Sequence, residues 1–520
     1  MGRMLKENID RIVRYCRQYQ AHGYMMDERN LNDRFNVELP EERFIRVNIE
    51  KLRLILFTGE AGDGKTRIMR NLKEVLAKHQ FGDLCVDFSA LTEAEKEQMI
   101  ERIRVVLSGK AEDKLVIAAN IGAFTQAVLK FDLTLMEELT KKREDVYLCN
   151  FENRNLAEDK KVFQKIIEDF LISDGEESII CMNHSCIHYA ECCFRENIRT
   201  ILSNPGREAL RAICNAIYLT GGHLTFRELL SLISYMITFG QDCEERSRYI
   251  KAGGEEEKIK YYQIFEPQPD ALLEKVSRMD PALKKCVCPK EIDTKEKYIN
   301  YRRKGYFEAQ ENYYEMLNVD YLVPFYQVLE YMNTPPYHYD TIQDKNPILQ
   351  SLKRGINKMS SQGKSDTGLV ITDTPVILGS QIRTEFMVMQ DINMIWHKYD
   401  IENSKVGRGT GKFWNKFYLS YRSPKDRRLI SLLIDYQQFR YLMLCSEDYF
   451  VNRNELTVEE HAVNIFYRKI LQEREQVYDS ILIRFDNKED GACDFSLTVH
   501  ESEDFFSGEK TRSVRIRKED

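Results

Sequence analysis

The chain has 520 residues, of which 43% are apolar, 31% charged and 11% aromatic. At about 150 residues per domain this length allows three or four domains, and the composition excludes collagen-like, low-complexity and wholly disordered classes. With 76 Lys and Arg against 83 Asp and Glu, the net charge of −7 excludes a uniformly basic nucleic-acid coat and confines any DNA contact to a local patch.

A mean hydropathy of −0.49, with no run near the roughly 18 apolar residues of a spanning helix, leads us to expect no membrane insertion. The start, MGRMLKENID, has no apolar signal core, and Lys6 stands where a myristoylation motif needs Ser or Thr. Thirteen scattered cysteines then fit a reducing, cytoplasmic setting.

In chain order, residues 1–50 are expected to form an N-terminal helical segment, with Ile9, Ile12, Val13 and Cys16 on one face of a helix over Lys6–Gln20. At Leu52 the period changes. LRLILFTG reads as a buried strand, followed by a helix (Lys65–Lys78), strand (Leu84–Phe88), helix (Glu93–Leu107), strand (Lys114–Ala119), helix (Phe124–Lys142) and strand (Val146–Asn150). This alternation predicts an α/β core over 51–175 with a parallel sheet covered by helices. From Asp159 to Tyr331 the spacing turns helical, most clearly at Leu224–Phe239, and 176–332 is expected to be a helical lid region. Pro335-Pro336 marks the start of a C-terminal α+β domain over 333–520. Its predicted strands are Leu369–Thr372, Phe417–Tyr421, Ile481–Phe485 and Phe495–Val499, with helices at Ile430–Leu444 and Val458–Glu473.

The most specific feature is Gly59-Glu60-Ala61-Gly62-Asp63-Gly64-Lys65-Thr66, a full GxxxxGK[ST] match between a predicted strand and a predicted helix. Backbone N–H groups of such a loop surround a β-phosphate, and the glycines allow angles that a Cβ forbids. Lys65 is expected on the β and γ phosphates of ATP, and the Thr66 hydroxyl on Mg²⁺. Asp87, after the next strand, is the expected metal-associated acid. Asn120, where many P-loop ATPases carry a carboxylate, resembles a polar sensor of the γ-phosphate. Glu93 reads either as a further acid or as part of the cap of a helix opened by Thr92-x-x-Glu95. Arg227, in the first turn of the helix after Gly221-Gly222-His223, resembles the sensor arginine of an AAA-type lid. Arg154, in FENRN, is a weaker arginine-finger candidate.

Six potential soft ligands crowd into Cys181-x₂-His184-x-Cys186-x-His188-x₃-Cys192-Cys193. A structural Zn²⁺ on Cys181, Cys186, Cys192 and Cys193 and a set of partly buried thiols are both open readings. Local positive charge gathers between Lys405 and Arg428, through Arg408, Lys412, Lys416, Arg422 and Arg427, interleaved with Phe413, Trp414, Phe417, Tyr418 and Tyr421. Lys353 and Arg302-Arg303-Lys304 add smaller groups. This mixture reads either as a DNA-contacting surface, where cations meet phosphates and rings stack on bases, or as a strand whose aromatics turn inward.

With these residues placed, the chain resembles the DptF family, the ATPases of phosphorothioation-dependent DNA restriction systems, and more broadly bacterial defence ATPases sharing this P-loop module. An ordered set from Leu52 to Phe239 carries the resemblance: the GDGKT loop, VDFSALTEAE, LVIAANIGAF, YLCNFENRN, CCFRENIRTI and HLTFRELLSLI. Where the family has an Asn-Asp-Ala-Thr-Glu-like run, this chain has Val86-Asp87-Phe88-Ser89-Ala90, which keeps the Asp and displaces the Glu. The resemblance implies a P-loop NTPase sheet of AAA/STAND type with a helical lid. It further implies a cytoplasmic, ATP-hydrolysing component of a DNA restriction or antiphage defence complex, acting with other proteins of the system against DNA that lacks the sulfur modification. AAA-type assembly would make it an oligomer. No nuclease pattern is visible, so DNA damage is expected of a partner. Two readings remain beside this one: a nucleotide-bound scaffold that does not hydrolyse, motivated by the missing acid after LVIAAN, and a replication- or loader-type AAA ATPase.

Overall fold

The computed structural model describes residues 9, 12–16, 37–109, 113–140, 143–172, 192–285, 292–333, 346–360, 369–372, 376–378, 382–390, 394–398, 415–423, 427–447, 458–473, 480–487, 491–503 and 510–519. These fall into two compact units, one holding the described residues up to Val319 and the other those from Asp320 onward.

The first unit is built on a parallel sheet. β1 (Leu54–Gly59), β2 (Phe81–Cys85), β3 (Lys114–Asn120) and β4 (Val146–Asn150) lie in the order β2-β3-β1-β4. They alternate with α1 (Pro40–Asn48), α2 (Lys65–Asn71), α3 (Lys73–Lys78), α4 (Glu93–Leu107), α5 (Ile121–Phe131), α6 (Leu133–Thr140) and α7 (Lys160–Leu171). Leu54–Phe57 and Leu115–Ala119 are all buried, as strands covered on both faces must be. Each large side chain among them contributes about 2 kcal/mol relative to exposure. Leu54, Leu56, Leu115 and Ile117 share one core with Ile100, Ile103, Phe124, Val128 and Leu135 of the helices. Ile55 and Phe57 alternate to the other face, where Phe57 lies 5.8 Å from Phe151.

Three expected elements shift for local reasons. The helix over Lys65–Lys78 is interrupted at Leu72. The one over Phe124–Lys142 begins earlier, at Ile121, and breaks at Asp132, whose carboxylate accepts from the backbone N–H of Thr134 at 3.0 Å. The strand expected over Leu84–Phe88 ends at Cys85, because Asp87 caps a short 3₁₀ turn over Phe88–Ala90.

The helical part of this unit comprises α8 (Cys193–Leu202), α9 (Asn204–Leu219), α10 (Phe226–Thr238), α11 (Cys243–Lys251), α12 (Ala271–Arg278), α13 (Lys295–Glu308) and the single turn α14 (Tyr313–Met316). α10 opens on a capping box between Thr225 and Glu228 and closes on Phe239 at φ 51°. From Leu229 to Thr238 every residue of it is buried, the mark of a core helix rather than an amphipathic cover. The buried Asn197 amide ties α8 to it, donating to the carbonyls of Ile237 (2.9 Å) and Ile259 (3.0 Å). Arg303 is also buried, donating to Asp280 at 2.6 and 3.0 Å and pairing with Glu266. It therefore belongs to the interior and not to a basic surface.

The second unit mixes helices with antiparallel sheets. Its helices are α15 (Leu322–Asn333), α16 (Pro347–Ser360), α17 (Tyr436–Ser446) and α18 (Val458–Glu473). One sheet orders β5 (Leu369–Thr372), β7 (Ile382–Gln390), β11 (Ser480–Asn487), β12 (Gly491–Glu503) and β13 (Lys510–Glu519) as β13-β12-β11-β7-β5, with β6 (Val376–Leu378) pairing β7. The other orders β8 (Met394–Lys398), β9 (Phe417–Arg422) and β10 (Leu429–Ile434) as β10-β9-β8. The helix expected over Ile430–Leu444 is thus a strand followed by a helix. LISLLI buries alternate residues against β9, and Asp435 then caps α17. Phe325, Phe417 and Phe439 form an aromatic core with ring separations of 5.2–6.3 Å. Among the described residues no helix is long and apolar enough to cross a membrane.

Candidate functional site

The carboxyl ends of all four parallel strands lie along one sheet edge, and β1 is followed in the chain by a strand to one side and flanked by β4 on the other. Such a switch point opens a crevice above the strand ends. The Gly59–Thr66 loop leaves β1 there and enters α2, with Gly59, Gly62 and Gly64 at φ 144°, 99° and 85°. Lys65 folds back over this loop, its Nζ donating to the carbonyls of Gly59 (3.0 Å) and Glu60 (2.5 Å). Burial draws its ammonium below the ordinary lysine value, Asp63 opposes that, Arg154 adds to it, and Asp87 and Glu60 oppose it again. Asp87 is thus one of three carboxylates, with Asp63 and Glu60, whose charge reaches Lys65.

Asp63 is fully buried inside the loop. One carboxylate oxygen accepts from the N–H of Glu60 at 2.6 Å, and the other lies 2.8 Å from His223 Nε2. Its backbone carbonyl accepts from Arg154 Nη2 at 2.6 Å. Burial pushes the carboxyl up, but the hydrogen bond and charge of His223, with Arg154 and Lys65, outweigh it and hold Asp63 below its ordinary value. The first turn of α10 rests on the same loop: the Arg227 N–H donates to the Gly62 carbonyl at 3.2 Å. A Cβ on Gly62 would come within 2.9 Å of Arg227 Cβ and 3.4 Å of its Nε. Arg227 thus lies against the loop through its backbone and its Cβ.

Asn120 pairs in register with Gly59, one strand away. Its Oδ1 accepts from the N–H groups of Gly122 (3.0 Å) and Ala123 (3.3 Å) and caps α5. Cys85 pairs with Ile117, level with Leu56. β2 lies two strands, about 10 Å, from β1, and in the turn after it the exposed Asp87 carboxylate accepts from Ser89 N–H at 2.9 Å. Mg²⁺ bound with a nucleotide keeps few protein ligands, typically a hydroxyl and one or two carboxylates, and Thr66 with Asp87 fits that donor set. Among the described residues no group of three or more His, Cys, Asp and Glu could hold a metal on its own.

Other candidates take different places. Glu93 is exposed and ion-paired with Lys130 (2.6 Å) and Lys96 (2.9 Å); hydrogen bonds from these two lysines hold it down to about 2. It is a surface acid held in ion pairs, and Thr92 with Glu95 forms the capping box. Arg154 does not project outward as a finger would. It is 8% exposed, lies 4.5 Å over the Phe151 ring, and braces the loop of its own chain. Cys181 and Cys186 lie outside the described residues. Cys192 is half-buried, while Cys193 is fully buried with Arg246 Nε donating to its sulfur at 3.0 Å. Burial pushes the Cys193 thiol up to about 11 against the pull of Arg246, and of the four expected ligands the described residues hold only this adjacent pair. Of the basic stretch, Arg408 and Lys412 lie outside the described residues, as do Phe413 and Trp414. Phe417 and Tyr421 are buried at 0% and 4%, so these two rings cannot stack on bases, and Lys353 is buried too.

Two residues that the sequence did not single out stand close to the loop. His223 contacts Asp63. Arg67, one turn into α2, donates to the Val37 carbonyl at 2.9 Å and lies 5.8 Å from the Phe226 ring of α10. Neither falls on a motif position; the Gly221-Gly222 break before His223 is the one local signal. Comparisons with family models, curated proteins and solved structures return no match.

Proposed function

We propose that this chain binds and hydrolyses ATP at the Gly59–Thr66 loop, as the ATPase component of a bacterial DNA restriction or antiphage defence complex. The observation that carries the nucleotide reading is the loop itself: a strand-to-helix turn with three positive-φ glycines and a lysine folded over it. On this reading Lys65 moves its hydrogen bonds from the Gly59 and Glu60 carbonyls to β- and γ-phosphate oxygens. Thr66 and Asp87 hold Mg²⁺, which neutralises developing charge on the phosphates. The Asn120 NH₂ reads the γ-phosphate from the neighbouring strand end, and Arg227 approaches from the α10 side. The defence assignment rests on the sequence resemblance over Leu52–Phe239, and DNA contact through the Lys405–Arg428 stretch is part of the same proposal.

A non-hydrolysing scaffold is the second reading, favoured by one set of observations. The Asn120 oxygen is occupied as a helix cap, Glu93 is locked in surface ion pairs, and Asp87 already caps a turn. No carboxylate among these is visibly poised to take a proton from water. Phosphate release by wild type, Asp87→Ala and Lys65→Ala separates the two: turnover in wild type that both variants lack supports hydrolysis, and turnover no higher than that of Lys65→Ala supports the scaffold.

A further inference from the structure

The phosphate loop carries a carboxylate of its own, in a place meant to receive anions. Asp63 avoids a clash of charge by turning inward, where it is fully buried and held at three points. One of these, Glu60 N–H, belongs to the loop. The other two come from distant segments: His223 from the turn before α10 and Arg154 from the turn after β4. The His223 contact is special in one respect, because the ring's Nδ1 is buried without a hydrogen-bond partner. Asp63 is therefore the hydrogen-bond partner that orients the ring. Four residues later Arg227 touches Gly62, so the loop meets the start of α10 at two adjacent places. α10 is buried almost throughout and bonded at its far end to Asn197 and near its middle, through Ser234, to the Ile12 carbonyl. A core helix so held shifts as a unit when its first turn shifts.

We propose that His223 is a positioning residue for nucleotide binding: through Asp63 it fixes the shape of the phosphate loop and couples loop occupancy to the position of α10. Polyphosphate entering the loop draws Lys65 away from the Gly59 and Glu60 carbonyls. The adjoining segment then adjusts, and the Asp63–His223 and Gly62–Arg227 contacts pass that adjustment to α10. Removing the imidazole leaves one Asp63 oxygen buried and unpaired beside the bound phosphates, at a cost typical of a lost buried hydrogen-bond partner.

This inference rests on the nucleotide reading, and its test separates the two. Binding of a fluorescent Mg-ADP analogue to the full-length chain is compared for wild type, His223→Ala, His223→Gln and Lys65→Ala, with hydrogen exchange over residues 223–238 followed with and without Mg-ADP. We expect His223→Ala to bind about tenfold more weakly and His223→Gln, whose amide reaches the Nε2 position, to bind within about threefold of wild type. Nucleotide should change exchange at 223–230 in wild type and by less in His223→Ala, where only the Gly62–Arg227 contact remains. Equal binding by wild type and His223→Ala overturns the proposal, as does equal loss in the Ala and Gln variants. Should His223→Ala fail to fold, wild type alone decides: tight binding without any exchange change at 223–230 also overturns it. No binding by wild type, matching Lys65→Ala, defeats the nucleotide reading as well.

Discussion

Gly62→Ala, compared with Gly64→Ala, asks whether the loop and α10 are in contact. Both glycines have positive φ, 99° and 85°, so an alanine at either site is strained by about 1–2 kcal/mol. Their surroundings differ. A Cβ on Gly64 meets nothing within 4 Å, whereas one on Gly62 would be 2.9 Å from Arg227 Cβ. That second distance lies well inside van der Waals contact and adds an overpacking cost of about 1–3 kcal/mol. Gly62→Ala should therefore cost about 3 kcal/mol and Gly64→Ala about half of that. The excess falls where the first turn of α10 must lift, so the amide of Leu229, bonded to the Thr225 carbonyl, should exchange about tenfold faster in Gly62→Ala than in Gly64→Ala. Adding Arg227→Gly removes the opposing Cβ and should recover most of the excess in a double-mutant cycle. Equal costs at positions 62 and 64, or a cycle with no coupling, would refute the contact.

Acid should reveal Asp63. Its folded pKa is depressed, so its contribution to stability is complete above the unfolded value of about 3.9 and is lost as pH falls through the folded value. Acid titration of Asp63→Asn should therefore differ from wild type in slope only below about pH 4; parallel curves there would contradict the buried pairing. Arg303→Met should destabilise the first unit by about 3–5 kcal/mol, measured by chemical denaturation, because Asp280 is left buried without its partner. A change under about 1 kcal/mol would mean that the pair is replaceable. Charge reversal at Arg408, Lys412 and Arg427 should weaken DNA binding most at low salt, and filter binding across a salt series that detects no change would discard that surface.

The elements best legible in the sequence are those whose local pattern coincides with their final environment. LILF in β1 and LVIAA in β3 are unbroken apolar runs because both faces are covered, and Thr92-x-x-Glu95 closes within four residues. The breaks at Leu72 and Asp132 were not legible, since apolar residues at helical spacing continue on either side of each. LISLLI fits a helix or a strand equally well in isolation; pairing with β9 decides it. The glycine-rich loop was legible because its geometry is demanded by its own residues. Its bracing was not. His223 is 160 positions from Asp63 and Arg154 is 91, and no periodicity links segments brought together only by the fold. The same holds for Phe417 and Tyr421, whose inward turn depends on the neighbours that cover them.

The central claim is that Gly59–Thr66 drives ATP turnover. Steady-state phosphate release from Mg-ATP by the full-length chain, with and without DNA, tests it against Lys65→Ala in the same conditions. The account predicts turnover in wild type that falls to background in Lys65→Ala. Equal release by the two proteins in every condition would contradict it.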